Sequence, residues 1–508
     1  MRKYQQKQIL EILESLGEAQ EAGLFADCQD GALSIGEFIE DTAGEGTQTV
    51  ALLEEYCELV YKASINEADN NALKKMIVKI EKSVRKELKP TKIEVVFLSY
   101  KASMSDSIES IYHSANDDPN CDAYWIPIPY IERNPDGTAK EMFLEGADCY
   151  EGIICTDWRE YNIEERRPDA IFTFAPYDDR NYVTSVHPDF YCRRLRELTD
   201  MLVYVPYFVH AEDASANAML VPGVASSHRT IVQSENIRQQ YIQAILSYAD
   251  GINKQELEKM IVALGSPKFD KAINSKKEDY SLPEEWNRLI TSSKSKKLIV
   301  LYNNTLGVIL QNTSDDESNI YMHKLRSVLD YFSKAHDVVL WWRPHPLTEQ
   351  TLYSMRPNAY SEYMRIVEDY KAQAFGIFDD SPNLSRAIAW TDLCYGDWSS
   401  IMNLYSIKGK PTIFQSMEVH QYKATKNADS VEREILYQLN LDWNHYFTIY
   451  EVESDSEGVI NLADYIKNYD VVMKFSKART EKYRALIANS DGTAGKKIYK
   501  YIKGLTNG

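Results

Sequence analysis

An arginine and a histidine flank a proline in Arg343-Pro344-His345-Pro346, directly after the apolar run Val338-Val339-Leu340-Trp341-Trp342. Such a run reads as a strand, and the two prolines stop it because each removes a backbone N–H and fixes φ. Arg343 and His345 are therefore expected at the strand's C-terminal edge, where open α/β sheets hold their ligands. A guanidinium there can neutralise phosphate charge, and an imidazole can donate to a phosphate oxygen or assist a leaving group. The structural alternatives are an Arg343 paired with Asp379 or Asp380, and a His345 that caps a turn.

The same kind of edge recurs downstream. Ile377-Phe378-Asp379-Asp380-Ser381-Pro382 reads as a strand end followed by a helix start. Asp379 and Asp380 could hold a ribose or a divalent ion, or cap the helix, and no metal site is claimed. The short strand Leu393-Cys394-Tyr395 ends in Gly396-Asp397, and Trp398-Ser399-Ser400 opens a helix that Gly409-Lys410-Pro411 closes. A helix N-terminus with free N–H groups and two hydroxyls is a ready anion site. Capping is the alternative role of Ser399 and Ser400.

In this order, ahead of a Gly-Lys-Pro turn, the motifs resemble the C-terminal half of the CDP-glycerol glycerophosphotransferase family, the polymerases and primases of teichoic acids and related polyol-phosphate polymers. The resemblance implies a GT-B fold and a nucleotide site built from the Arg/His-Pro strand end and the Asp-aromatic-Ser-Ser helix start. It brings in Asp397, and it places the loop after Tyr302-Asn303-Asn304-Thr305 near the diphosphate, so Asn304 and Thr305 join the candidates. The implied reaction moves a polyol phosphate, glycerol phosphate foremost, from a CDP-polyol to a hydroxyl of a cell-envelope polymer, with CMP leaving and no cofactor. The acceptor would be a polyol phosphate or a glycan.

The first half carries a looser version of the same resemblance, in Tyr100-Lys101-Ala102-Ser103-Met104, Asn181-Tyr182-Val183-Thr184-Ser185-Val186-His187-Pro188 and Val232-Gln233-Ser234-Glu235. Lys101, in a loop after a strand, could meet an acceptor phosphate. His187 sits among hydroxyls and carboxylates and is the candidate general base, since such a base needs a pKa near neutrality. A loop-organising histidine is the alternative. The better-known polymerases carry a Trp-His-Gly segment in this half, with its histidine as the presumed base, and the chain has no such segment. His210 and His228 therefore compete with His187.

Several elements must position these residues. Residues 1–89 read as helices, with Ile9, Leu10, Ile12 and Leu13, then Val50, Leu52, Leu53, Tyr56, Leu59 and Val60, at helical spacing. A third helix from Leu73 to Leu88 carries Lys74, Lys75, Lys79, Lys82 and Arg85, a solvated basic face or one that meets acceptor or membrane. Residues 90–265 alternate strand and helix, which predicts a parallel, doubly wound α/β domain. The stretch from Gly265 to Pro283 is polar and turn-rich and reads as a linker. A second Rossmann-like domain is expected over 290–472, and helices over 473–508 that could cross back.

The chain has 508 residues, enough for two or three cores. Its 57 Lys+Arg against 76 Asp+Glu give a net charge of −19, which argues against a nucleic-acid surface and against electrostatic docking on anionic lipid. Seven cysteines without a CxxC pair suit reduced thiols in a cytoplasmic protein. No signal peptide and no membrane span are expected, and mean hydropathy is −0.43. The expected location is cytoplasmic, with peripheral association at the inner membrane face left open. Two other functions compete: a GT-B glycosyltransferase using a nucleotide sugar, and a nucleotide-binding scaffold without turnover.

Overall fold

Strands buried on both faces of a parallel sheet read as continuous apolar runs, and the computed structural model assembles two sets of them. It describes residues 1–181, 183–210, 216–249, 251–292, 296–306, 328–397, 399–415, 449–452 and 476–506, with Met322, Leu325, Arg326, Tyr469 and Met473. Tyr182 and Trp398 of the candidate motifs lie outside the described residues.

The chain opens with four helices, α1 (Lys3–Glu21), α2 (Phe25–Ala43), α3 (Gln48–Ser64) and α4 (Asn70–Glu87). They pack around Ile9, Leu13, Ile35, Leu53, Tyr56, Ile77 and Ile80. Glu87 at the end of α4 accepts hydrogen bonds from the Gln48 and Thr49 N–H groups, each at 2.8 Å, so α4 satisfies the orphan donors that start α3. The basic residues of α4 serve the bundle in part. Lys74 pairs with Glu21 at 2.6 Å and Lys79 with Glu55 at 3.2 Å.

The first α/β unit contains strands β1 (Ile93–Ser99), β2 (Cys121–Pro127), β3 (Tyr130–Arg133), β4 (Ala139–Phe143), β5 (Ala170–Thr173), β6 (Thr184–Val186), β7 (Met201–Tyr204), β8 (Arg229–Val232) and β9 (Ile261–Ala263). Six form a parallel sheet in the order β2-β1-β5-β7-β8-β9. The remaining three, β4-β3-β6, form a small antiparallel sheet that the alternation of strands and helices does not predict.

The second unit holds β10 (Leu298–Asn304), β11 (Val338–Pro344), β12 (Ile377–Phe378), β13 (Leu393–Gly396), β14 (Thr412–Gln415) and β15 (Ile449–Val452), parallel in the order β12-β11-β10-β13-β14-β15. Register sets Asn303 beside Arg343 on one side and Gly396 on the other. Three candidate strand ends are thus lined up along one C-terminal edge. Gly396 has φ +133°, and a Cβ there would lie 2.0 Å from the Asn303 carbonyl oxygen, so only glycine fits.

The expected linker is instead partly a docked helix, Pro267–Asn274. Phe269 and Ala272 enter the core of the second unit, while Lys268 pairs with Asp106 and Lys271 with Glu109 of the first. Buried contacts on both sides override the turn-rich composition. Asp270 then accepts the Ala494 and Gly495 N–H groups at 2.9 and 2.7 Å, capping the helix Ala494–Thr506. That final helix packs Ala494, Ile498 and Ile502 into the first unit's core, against α5 (Glu109–Asn116). The preceding helix, Ser476–Leu486, lies on the second unit, where Tyr483 is buried and Arg484 donates to the Ile407 carbonyl.

Candidate functional site

Arg343 ends β11 and is 4% exposed. Its guanidinium lies 3.0 Å from an Asp379 oxygen and donates to the Ser381 carbonyl at 2.7 Å. Asp379, 1% exposed, also accepts from the Trp341 Nε1–H at 3.0 Å, from the Ser381 N–H and Oγ, and from Arg386 at 3.3 Å. Burial alone would raise its pKa, but Arg343, Ser381 and Arg386 together hold the carboxyl below its ordinary value. With both oxygens taken, Asp379 orients Arg343 and offers no ligand atom to a ribose or an ion. Asp380 is exposed and pairs with Lys371 at 3.7 Å.

His345 follows on the same edge. Its Nδ1 accepts the Leu347 N–H at 3.1 Å, which places the proton of the neutral ring on Nε2. Burial pulls its pKa down to about 4, aided by the cations Arg343, Lys101 and Lys268. His345 therefore does cap a turn and Arg343 is paired with Asp379, yet both also line one cavity of about 420 Å³.

Lys101 reaches that cavity from the first unit, after β1. It sits 3.9 Å from the Tyr130 ring centre and 3.7 Å from Glu145. Burial lowers its pKa, and Glu145 and Glu132 oppose the shift. Tyr363, Met364, Val367 and Phe378 supply an apolar wall. A cavity with such a wall beside cations and one neutral N–H donor suits a nucleoside diphosphate.

The remaining candidates of the second unit continue the row along the sheet edge, beyond the residues that line the cavity. Asn304 is buried, and its side-chain oxygen accepts the Trp342 Nε1–H at 2.9 Å. Thr305 donates its N–H to Asp397 at 3.0 Å, and Asp397 is 1% exposed. Ser399 caps the helix Ser400–Lys408 through the Ile401 N–H at 3.3 Å and accepts from Asn303 Nδ2 at 2.7 Å. Ser400 is the first residue of that helix and half-buried, with no side-chain hydrogen bond to the described residues.

The three candidate histidines of the first unit are placed differently, and none lines this cavity. His187 is half-buried against Trp158 and Phe190, and its Nδ1 accepts the Asp189 N–H at 3.4 Å, capping a short 3₁₀ turn at the end of β6. His210 is buried, bonded through Nε2 to the Tyr241 hydroxyl at 2.9 Å, and pulled down to about 4 by burial. Its carbonyl accepts from Asn403 of the second unit at 3.2 Å, so it ties the two units together. His228 accepts the Leu202 N–H on Nδ1 at 2.8 Å, and burial lowers its pKa.

Two residues near the site were missed by sequence reasoning. Lys268 is 5% exposed, and its charge acts on His345, but it lies in the segment read as linker. Glu145 accepts the Ala102 N–H at 2.6 Å and holds Lys101, from a stretch without a motif. No sequence signal joins either one to its partner.

Two parallel sheets, with a cleft cavity walled by both units, make this a GT-B protein with a helical N-terminal region. Residues 240–434 match the family described as CDP-Glycerol:Poly(glycerophosphate) glycerophosphotransferase, so the resemblance read from the motifs holds over that segment. Among solved structures it is similar to a variant of the wall teichoic acid polymerase TagF, at 16% identity, with 90% of this chain and 98% of that one covered and a TM-score of 0.43. It is also similar to MnaA of S. aureus solved with UDP (10% identity, 82% and 97% covered, TM-score 0.47) and to a UDP-N-acetylglucosamine 2-epimerase from Listeria monocytogenes (11%, 82% and 97%, TM-score 0.46). No curated protein matches the chain. No described helix is long and apolar enough to cross a membrane.

Proposed function

We propose that the protein transfers a polyol phosphate, glycerol phosphate foremost, from a CDP-polyol to a hydroxyl of an envelope polymer. The observation that carries this reading is the convergence of Arg343 and His345 from one sheet with Lys101 from the other on a single cavity. The matched family's description supports a glycerophosphate as the transferred group. The acceptor oxygen attacks the β-phosphorus while the bond to the CMP oxygen breaks. This step needs positioning and charge stabilisation more than covalent chemistry. Arg343 and Lys101 face the diphosphate as cations, the His345 Nε2–H donates to an oxygen that gains charge, and the N-terminus at Ser399 and Ser400 extends the anion site. The base role is assigned to none of His187, His210 and His228, whose ring nitrogens cap a turn, bond Tyr241 and accept the Leu202 N–H respectively.

The glycosyltransferase alternative needs an acid free to bind sugar hydroxyls beside the diphosphate; Asp379 has no oxygen to spare, and that part would fall to Asp380, exposed on the same wall and paired with Lys371 at 3.7 Å. Replacement of Ser400 tests the reading cleanly, because its side chain makes no described hydrogen bond that folding would lose. Ser400→Ala should weaken CDP binding by about 10- to 150-fold, the value of one hydrogen bond to a charged oxygen at about 1.5–3 kcal/mol. Calorimetry with CDP, together with CMP release from CDP-glycerol, reads the outcome. Unchanged CDP affinity in folded Ser400→Ala refutes the anion site, and CDP binding without any CMP release returns the scaffold reading.

A further inference from the structure

A second, larger cavity of about 610 Å³ adjoins the first, and the two share Ser103, Cys149, Ser381 and Pro382 in their walls. We propose that this second cavity receives the acceptor, and that it is built for a neutral, hydroxyl-rich glycosyl terminus rather than a phosphate-bearing one. The proposal rests on the donor reading above and adds the chemical class of the acceptor.

The location comes first. The cavity runs between the loop after β1, the Pro267–Asn274 helix and the segment Ser381–Arg386. A group bound there lies next to the diphosphate cavity and can present a hydroxyl across the shared wall, as transfer requires.

Charge decides the class. Asp106, Glu109, Asp148, Glu151 and Asp279 line the cavity against only Lys271 and Arg386. Both cations are already engaged, Lys271 by Glu109 and Arg386 by Asp379. Asp106 is matched by Lys268, outside the wall. Asp148 and Glu151 form no ion pair with the described residues, and Asp279 is matched at longer range by Lys408, outside the wall. In the donor cavity, by contrast, three of four carboxylates face a cation: Glu145 has Lys101, Asp379 has Arg343 and Arg386, and Asp380 has Lys371. A phosphate chain entering the larger cavity would meet unmatched negative charge, which costs binding, whereas sugar hydroxyls donate to carboxylates. Tyr280, half-buried, adds an aromatic side chain to the wall, of the kind that packs against sugars. The carboxylates do not gather into a cation site, since no group of three that could hold a metal ion occurs among the described residues.

The test measures kcat/KM for CMP release from CDP-glycerol with a panel of neutral alkyl glycosides and with an oligo(glycerol phosphate), in the wild type and in the double variant Asp148→Lys, Glu151→Lys. Both residues are exposed, so the variant should fold. The wild type should prefer a neutral glycoside by about tenfold or more, and the variant should shrink that ratio by about tenfold through the KM of the phosphate acceptor, with CDP affinity unchanged. Preference of the wild type for the phosphate chain overturns the proposal, as does a ratio that the variant leaves unmoved. If CDP binds and no neutral glycoside is used, the acceptor class is wrong while the donor site stands. If CDP does not bind at all, the donor reading has failed and this proposal with it.

Discussion

The protonation state of His345 separates two mechanisms that a static contact cannot. Burial and three nearby cations pull its pKa down to about 4. At pH 7 only about one ring in a thousand would then carry the second proton, so the group that meets the phosphate is a neutral Nε2–H donor and not an imidazolium acid. The sign follows directly. A histidine with a depressed folded pKa stays neutral as pH falls through 6.5, and it charges only near 4. The His345-dependent part of kcat/KM should thus be flat from about pH 8 to 5 and change only near pH 4. His345→Ala removes one donor to a charged oxygen, worth about 1.5–3 kcal/mol, and should lower turnover by about 10- to 150-fold across that plateau. His345→Gln, which keeps an N–H donor, should recover most of the loss. The assay is steady-state CMP release over pH, with the ring titrated by NMR in parallel. A wild-type rate that falls above pH 6.5 with a basic limb missing from His345→Ala, or a measured ring pKa above 6, refutes the neutral-donor argument.

Two further outcomes test the scaffold beneath the site. Gly396→Ala puts a Cβ 2.0 Å from the Asn303 carbonyl oxygen at φ +133°, so stability in denaturant should drop by more than about 3 kcal/mol; a near-normal midpoint would show that the β10–β13 edge is looser than described. Asp379→Asn leaves Arg343 and Arg386 without their buried counter-charge and should cost about 3–5 kcal/mol at neutral pH. The wild-type advantage should vanish in acid, because a carboxylate with a lowered pKa stabilises above its ordinary 3.8 and loses that as pH falls through the folded value. Equal stability of the two proteins at pH 7 would contradict it.

The parts of this molecule written in the sequence are those governed by local rules. Val338–Trp342 and Ile93–Leu98 read as strands because they are apolar throughout, and the prolines after Trp342 fix where Arg343 and His345 must stand. Ser399 is legible as a cap for the same reason: the helix needs an oxygen at that place. The strands β3, β4 and β6 carry no such signal. They are short, and β4 is largely exposed, so its residues show no apolar face. Pro267–Asn274 was misread because its helical stability comes from contacts on two sides, with partners as distant in the chain as Asp106 and Ala494. His187 is ambiguous in the sequence for a related reason. A histidine amid carboxylates and hydroxyls looks the same in sequence whether it faces a cleft or a Trp158–Phe190 pocket, and only the fold of the antiparallel sheet tells them apart.

The pairing of Arg343 with Asp379 appears at first to compete with phosphate binding, since a neutralised arginine offers little to an anion. The local charge says otherwise. One carboxylate, Asp379, is shared by two guanidiniums, Arg343 and Arg386, so the cluster retains a net positive charge after the ion pairs form. Its hydrogen bonds to Asp379 and to the Ser381 carbonyl hold the Arg343 fork in place before any ligand arrives. A diphosphate then meets a cation whose rotamer entropy has already been lost in folding, and little reorganisation is left for the moment of binding. Burial keeps His345 neutral, aided by the charges of Arg343, Lys101 and Lys268, so beside this fixed cation it meets the diphosphate as an uncharged donor.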